Sequence, residues 1–163
     1  MGRLKEFCRQ FLLWSPVGLY VNTEYFRVDR IEGVSMRPTL NPAGSASSDF
    51  ILANLLARSY HFYQPGDVII LKSPEHPQGR LVKRLIALQG QTVHVPGREE
   101  AVIIPQGHCW VEGDNPYSSN DSASRYGPVP MGLILGTVTA IVWPPARMQF
   151  LHSQQIPMGR VVL

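Results

Sequence analysis

Apolar residues along the chain fall in short runs separated by Gly, Pro and small polar residues, and most runs are too short or too regularly alternating for helices. Phe26 to Glu32 alternates apolar and polar positions. Phe50 to Leu56 and Asp67 to Leu71 are apolar β-type runs parted by the turn Gln64-Pro65-Gly66; a second turn region, Ser73 to Gly79, leads into the run ending at Leu88. Thr92 to Val95, Ala101 to Ile104, His108 to Glu112 and Gly136 to Trp143 complete the set, broken by Pro96-Gly97, Pro105-Gln106-Gly107 and Pro144-Pro145. Many short strands, no internal repeat and little helical periodicity predict a mainly β fold, an antiparallel barrel-like domain.

One segment departs from this pattern. Phe11 to Val21 is apolar and follows the basic residues Arg3, Lys5 and Arg9, and Tyr20 near its end reads with Tyr25 and Phe26 as an interfacial aromatic belt. A span needs about 20 residues, so Asn22 and Glu24 must lie at the interface for this one to reach. The expectation is an uncleaved N-terminal hydrophobic membrane-anchor helix, with a buried core helix as the alternative. Residues 1–26 then form a basic segment and anchor, 27–147 the β domain, and 148–163 a tail without periodicity.

With 163 residues, 44% hydrophobic and 17% charged, the chain can bury one good core and is not a disordered protein. Its net charge of +3 is spread over scattered basic residues without aromatic interleaving, which argues for solvated faces and no nucleic acid as partner. Cys8 and Cys109 form no disulfide framework. His61, His76, His94, His108 and His152 lack ligand spacing, so no metal or other cofactor is expected.

The chemistry gathers around Val34-Ser35-Met36-Arg37-Pro38-Thr39-Leu40. Pro38 removes a donor and restricts Arg37, which sets Ser35 at a strand end or turn with its hydroxyl free. A serine hydroxyl is a weak nucleophile at neutral pH and needs a base from elsewhere. Lys83 is the candidate: in a strand, the period of two aligns it with Leu81 and Leu85, and apolar neighbours disfavour its charged form. The plain alternative is an edge-strand lysine that snorkels to solvent. Arg84 cannot serve, since a guanidinium does not deprotonate, and Lys72 is the next candidate.

The serine motif, the turn Pro65-Gly66-Asp67-Val68, the run Lys83 to Gly90, and Gly113-Asp114-Asn115 followed by Ser119-Asn120-Asp121-Ser122 occur in one order. Over roughly Ile31 to Arg147 the chain resembles the type I signal peptidases, a family of Ser/Lys proteases. The resemblance implies Ser35 as nucleophile, Lys83 as general base, Ser119 as hydrogen-bond partner of the lysine and Asp121 as brace of the loop. Two departures stand out. Family members commonly carry an arginine two residues after that aspartate, where this chain has Ala123, with Arg125 two further on. At Gly33, bacterial relatives often offer a hydroxyl to the oxyanion, which here leaves the Ser35 amide as the obvious donor.

Short length, Asn41-Pro42 and Trp143-Pro144-Pro145 resemble the branch of the family found in the mitochondrial inner membrane. That branch implies a membrane-anchored serine endopeptidase facing the intermembrane space, with precursor proteins as peptide substrates, membrane lipid around its anchor, and a heterodimer with a related catalytic subunit. Two other readings remain. A self-cleaving repressor needs a DNA-binding domain before the serine, where only 34 residues stand. A non-catalytic assembly subunit keeps the fold without the activity.

Overall fold

The computed structural model describes residues 2–45, 47–57, 63–76, 78–98 and 100–162; His61 and Pro77 lie outside them. The β-type runs form β1 (Phe26–Arg30), β2 (Phe50–Asn54), β3 (Val68–Lys72), β4 (Arg80–Leu88), β5 (Thr92–His94), β6 (Ala101–Ile103) and β7 (His108–Glu112). Beyond them lie β8 (Val129–Pro130), β9 (Ile134–Trp143), β10 (Gln149–Phe150) and β11 (Val161–Val162). The main sheet has the order β1-β2-β9-β3-β4-β7-β8, with β10 added to β9, and every pairing is antiparallel. It curls into a half-barrel. The small sheet β11-β5-β6 joins the C-terminal residues to the middle of the chain.

Alternation decides what the curl encloses. Ile51 and Ala53 of β2 and Ile134, Gly136 and Val138 of β9 are buried while their sequence neighbours are less so, the period-two signature of a sheet with one covered face. β3 and β4 are instead buried on both faces. One side of β4 presents Leu85 to a core of Ile69, Leu71, Val111 and Ile134, and Ile86 belongs to a second core with Val93, Val95, Ile104 and Trp110 under the small sheet.

β4 changes partner part-way along. Arg80 to Arg84 pair with β3, whereas Arg84 to Leu88 also pair with β7. Its first four residues, Arg80 to Lys83, therefore have a neighbour on one side only. β1 is an edge strand as well, and a cavity of about 470 Å³ lies between these two unpaired edges, lined by Asp29 to Gly33 on one side and Arg80, Leu81 and Val82 on the other. Ser35 opens into it.

The N-terminal segment is helical, α1 (Gly2–Glu24), with Pro16 inside it. The expectation of a spanning anchor is not confirmed: no helix among the described residues is long and apolar enough to cross a membrane. Arg9 and Gln10 precede the apolar stretch, Ser15 and Pro16 divide it, and Asn22 ends it. Nor is α1 a core helix, because Phe7, Phe11, Leu12, Leu13, Trp14, Val17 and Tyr20 are all exposed.

The last residues are woven into the domain. β10 extends the main sheet, β11 pairs with β5, and the Gln154 N–H donates to the Gly66 carbonyl at 3.1 Å. Arg160 grips both carboxylate oxygens of Glu112 at 2.6 and 2.7 Å.

Candidate active site

Ser35 sits in a turn between β1 and the loop to β2. Met36 and Leu40, either side of Pro38, are buried among Ile31, Ile51, Val68, Val138 and Ile141, so two apolar residues pin the turn while Ser35 remains half-buried. The backbone closes on itself, Arg37 N–H to the Val34 carbonyl at 3.2 Å and Leu40 N–H to the Met36 carbonyl at 2.8 Å. The Ser35 N–H and hydroxyl have no hydrogen-bond partner among the described residues.

A polar clamp holds the ends of this turn. Asn41, in the left-handed region at φ 49°, donates its side-chain amide to the Ile31 carbonyl at 2.8 Å, and it exchanges hydrogen bonds with Asp49 at 2.7 and 2.8 Å. Asp49 is fully buried and accepts both prongs of Arg147, at 2.8 and 2.9 Å, while the same guanidinium donates to the Thr39 carbonyl. A bidentate pair of this kind fixes geometry as well as charge.

The loop Gly113 to Asp121 brings the remaining groups to the turn. Gly113 has no room for a side chain: a Cβ there would collide with the Ser35 carbonyl oxygen and the Ser119 hydroxyl. Asn115 donates its N–H to the Ser35 carbonyl at 2.9 Å and its side-chain amide to the Val34 carbonyl at 3.2 Å. Between them, Asp114 accepts a fork from Arg84 at 2.6 and 2.7 Å and a further bond from the Thr39 hydroxyl at 2.5 Å. Three consecutive residues thus fasten the Ser35 turn to β4.

Lys83 is 2% exposed and its Nζ donates to the Ser119 hydroxyl at 2.8 Å. Burial lowers its pKa below the usual lysine value, and the charge of Asp121 opposes that only in part. Asp121 is itself buried, which alone would raise its pKa. Donors outweigh this and hold it below the ordinary aspartate value: the Gly113 N–H at 3.0 Å, the Ser119 hydroxyl, and the Ser124 N–H and hydroxyl, each at 3.1 Å. Ser119 accordingly stands between an amine and a carboxylate, accepting a hydrogen bond from the first and donating one to the second.

Lys83, Ser119 and Asp121 are gathered in one cluster, and Gly113 abuts both that cluster and the Ser35 backbone. No hydrogen bond joins Lys83 to Ser35 directly among the described residues. Arg125 does not reach Asp121; it pairs with Glu75 at 2.5 Å on the surface, and Ser124 takes the bracing position through a reciprocal cap. Lys72 is exposed at the far end of β3, paired in register with Arg80, and lies outside the cluster. Among the described residues no group of His, Cys, Asp and Glu could hold a metal ion.

Sequence reasoning assigned no role to Arg84, Thr39, Asn41, Asp49 or Arg147. Asp114 was within a recognised motif, so its pairing with a neighbouring cation had a signal. Asp49 and Arg147 meet from positions 98 residues apart, and nothing local marks either one.

A profile of the family described as signal peptidase, peptidase S26, matches residues 4–103 and 94–143. The chain belongs to this signal peptidase family. It is 43% identical to mitochondrial inner membrane protease subunit 2 of Mus musculus over 150 residues, 91% of this chain and 85% of that protein. The Saccharomyces cerevisiae protein of the same name is 35% identical over 153 residues, 90% and 86% of the two chains. Subunit 1 of Homo sapiens is 37% identical over 125 residues, 74% and 72% respectively. The signal peptidase family supplies the class, a protease; the geometry above supplies the groups available for it.

Proposed function

We propose that this chain is a serine endopeptidase of the mitochondrial inner membrane that removes sorting or signal peptides from precursor proteins, with Ser35 as nucleophile and Lys83 as general base. The observation that carries the reading is the desolvated lysine, held by Ser119 in the loop that also grips the Ser35 backbone. A neutral Lys83 Nζ takes the hydroxyl proton as the Ser35 Oγ attacks the scissile carbonyl. The unpaired Ser35 N–H faces the developing oxyanion, and Lys83 then returns the proton to the departing amine. Water, deprotonated by the same lysine, attacks the acyl-enzyme, and the proton passes back to Ser35. Ser119 orients the amine, Asp121 fixes Ser119, and no cofactor takes part.

An extended substrate fits the gap between β1 and β4, where the unpaired edges offer main-chain hydrogen bonds and Ile31, Met36, Leu81 and Val82 wall a pocket suited to small apolar side chains. The exposed apolar residues around α1 support attachment at a membrane and contact with a related subunit in a heterodimer, the catalytic domain lying in the intermembrane space. Purified full-length chain should cleave a precursor at one site, and Ser35→Ala should not. Equal cleavage by both proteins, or none by either in the presence of the related subunit, refutes the assignment. Fractionation with protease protection tests membrane and orientation.

A further inference from the structure

A second cavity, of about 320 Å³, lies on the other side of the Arg30 to Val34 stretch from the gap between β1 and β4, and Arg30 and Gly33 line both. The two differ in chemistry. The first mixes the apolar Ile31, Met36, Ile70, Leu81 and Val82 with Asp29, Glu32, Arg30 and Arg80, whereas the second is bounded by Arg30, Arg37 and the residues Ser45, Ser47 and Ser48, and no aspartate or glutamate lines it. Arg37 is held from behind, its Nε donating to the Asn41 carbonyl at 2.7 Å, which leaves its two terminal nitrogens without a partner among the described residues. Arg30 touches only the Ser48 hydroxyl, at 3.2 Å. By contrast Arg27, Arg80, Arg84, Arg125, Arg147 and Arg160 each contact a carboxylate. Two guanidinium groups without a carboxylate partner, two and five residues from the nucleophile in sequence and beside hydroxyl donors, make a recess whose natural complement is a carboxylate.

On the basis of the function proposed above, we infer that this recess is a substrate subsite for an acidic side chain within the first three residues after the scissile bond. A peptide seated with small apolar side chains in the first cavity passes Ser35 and leaves across Gly33 and Val34, so its departing half reaches the cationic recess. Asp49 does not compete for the arginines, because it is fully buried and both its oxygens are taken by Arg147. Glu32 points into the first cavity's lining and forms no ion pair among the described residues. The subsite selects by charge where the first cavity selects by size.

The test uses full-length Ser35→Ala protein and fluorescent ten-residue peptides with alanine at the first and third positions before the cut. Three pairs differ only in Asp against Asn at the first, second or third position after it. At one position the aspartyl peptide should bind about tenfold or more tightly than its partner, the size expected of a charge-assisted contact. That preference should shrink with added salt, fall towards one in Arg37→Gln, and reverse towards a lysyl peptide in Arg37→Glu. Equal binding at all three positions, or a preference that survives both Arg37→Gln and Arg30→Gln, overturns the subsite. Cleavage of the same peptides by the native chain separates the two readings: Ser35-dependent cleavage indifferent to the acid overturns the subsite alone. Absence of both binding and cleavage overturns the proposed activity and the subsite with it.

Discussion

Lys83 and Arg84 are neighbours on β4, both cations, both nearly inaccessible at 2% and 6% exposure, and they have opposite surroundings. Adjacent strand residues point to opposite faces, so one residue of separation places them in different environments. Arg84 meets a full complement of acceptors: two oxygens of Asp114 and the Gly66 carbonyl. Lys83 meets one hydroxyl, with its nearest carboxylate kept behind Ser119. A buried cation that is matched fixes structure, and one that is undersupplied gives up its proton more readily. The same strand thus supplies a fixed tie and a titratable amine.

The largest expected effect tests the amine. Ser35→Ala, Lys83→Ala and Lys83→Arg should each lower kcat/KM by about four to six orders of magnitude, and the Ser35→Ala/Lys83→Ala pair should be no worse than either alone. Lys83→Arg is the informative one, since it makes the two neighbours chemically alike. Appreciable turnover there would show that proton acceptance at this position is unnecessary.

Next comes the matched cation. Arg84→Met should destabilise the domain by about 3–5 kcal/mol in urea unfolding, because Asp114 is left charged and buried. Adding Asp114→Leu should recover most of that loss, as removing both partners of a buried pair is far milder than removing one. If the double variant is as unstable as the single, the pair contributes through the Thr39 and Gly66 bonds instead.

Lys83→Met should do the reverse and raise the melting temperature at neutral pH. Folding lowers the lysine's pKa, so the unfolded chain binds the proton more readily. The penalty is present in full below the folded-state value and fades as pH climbs toward the ordinary lysine value near 10.5, so native stability rises with pH across that window. The advantage of Lys83→Met should therefore shrink as pH is raised, and a constant advantage would mean that burial of the alkyl chain, not the charge, is responsible.

Smaller still is Asp121→Asn. Its charge favours protonated Lys83, so the neutral amide should move the acidic limb of the pH-rate profile to lower pH. A shift the other way would mean that Asp121 acts by orienting Ser119. Smallest is Arg125→Gln, which removes a surface pair and should change stability by no more than about 0.5 kcal/mol without altering cleavage.

The strands were legible because their pattern is local. Alternation in Phe26 to Glu32, apolar runs such as Phe50 to Leu56, and the turn glycines and prolines located most of the main sheet without knowledge of its order. Strands β8, β10 and β11 were not legible, since two residues carry no period and only a partner defines them. Motifs singled out Lys83, Ser119 and Asp121, but the contacts of Arg125 and Ser124 were decided by geometry: a short cap three residues along outcompetes an arginine reaching back from the surface. The Asn41, Asp49 and Arg147 clamp was hidden for a related reason, because each member is an ordinary polar residue until the fold buries them together.

The position of β9 bears on how the domain comes into being. It lies between β2 and β3, yet it is synthesised after both, so the centre of the main sheet is empty until Trp143 has appeared. A chain emerging amino end first, from a ribosome or through a translocation pore, can form the β3–β4 hairpin and the β1–β2 pair, but each keeps an open edge facing the other. Closure is a late step that joins residues more than 80 positions apart, such as Leu52 and Ala140. Until then those edges are free to recruit strands from other chains, which makes the nascent protein a natural client for chaperones that bind extended apolar segments.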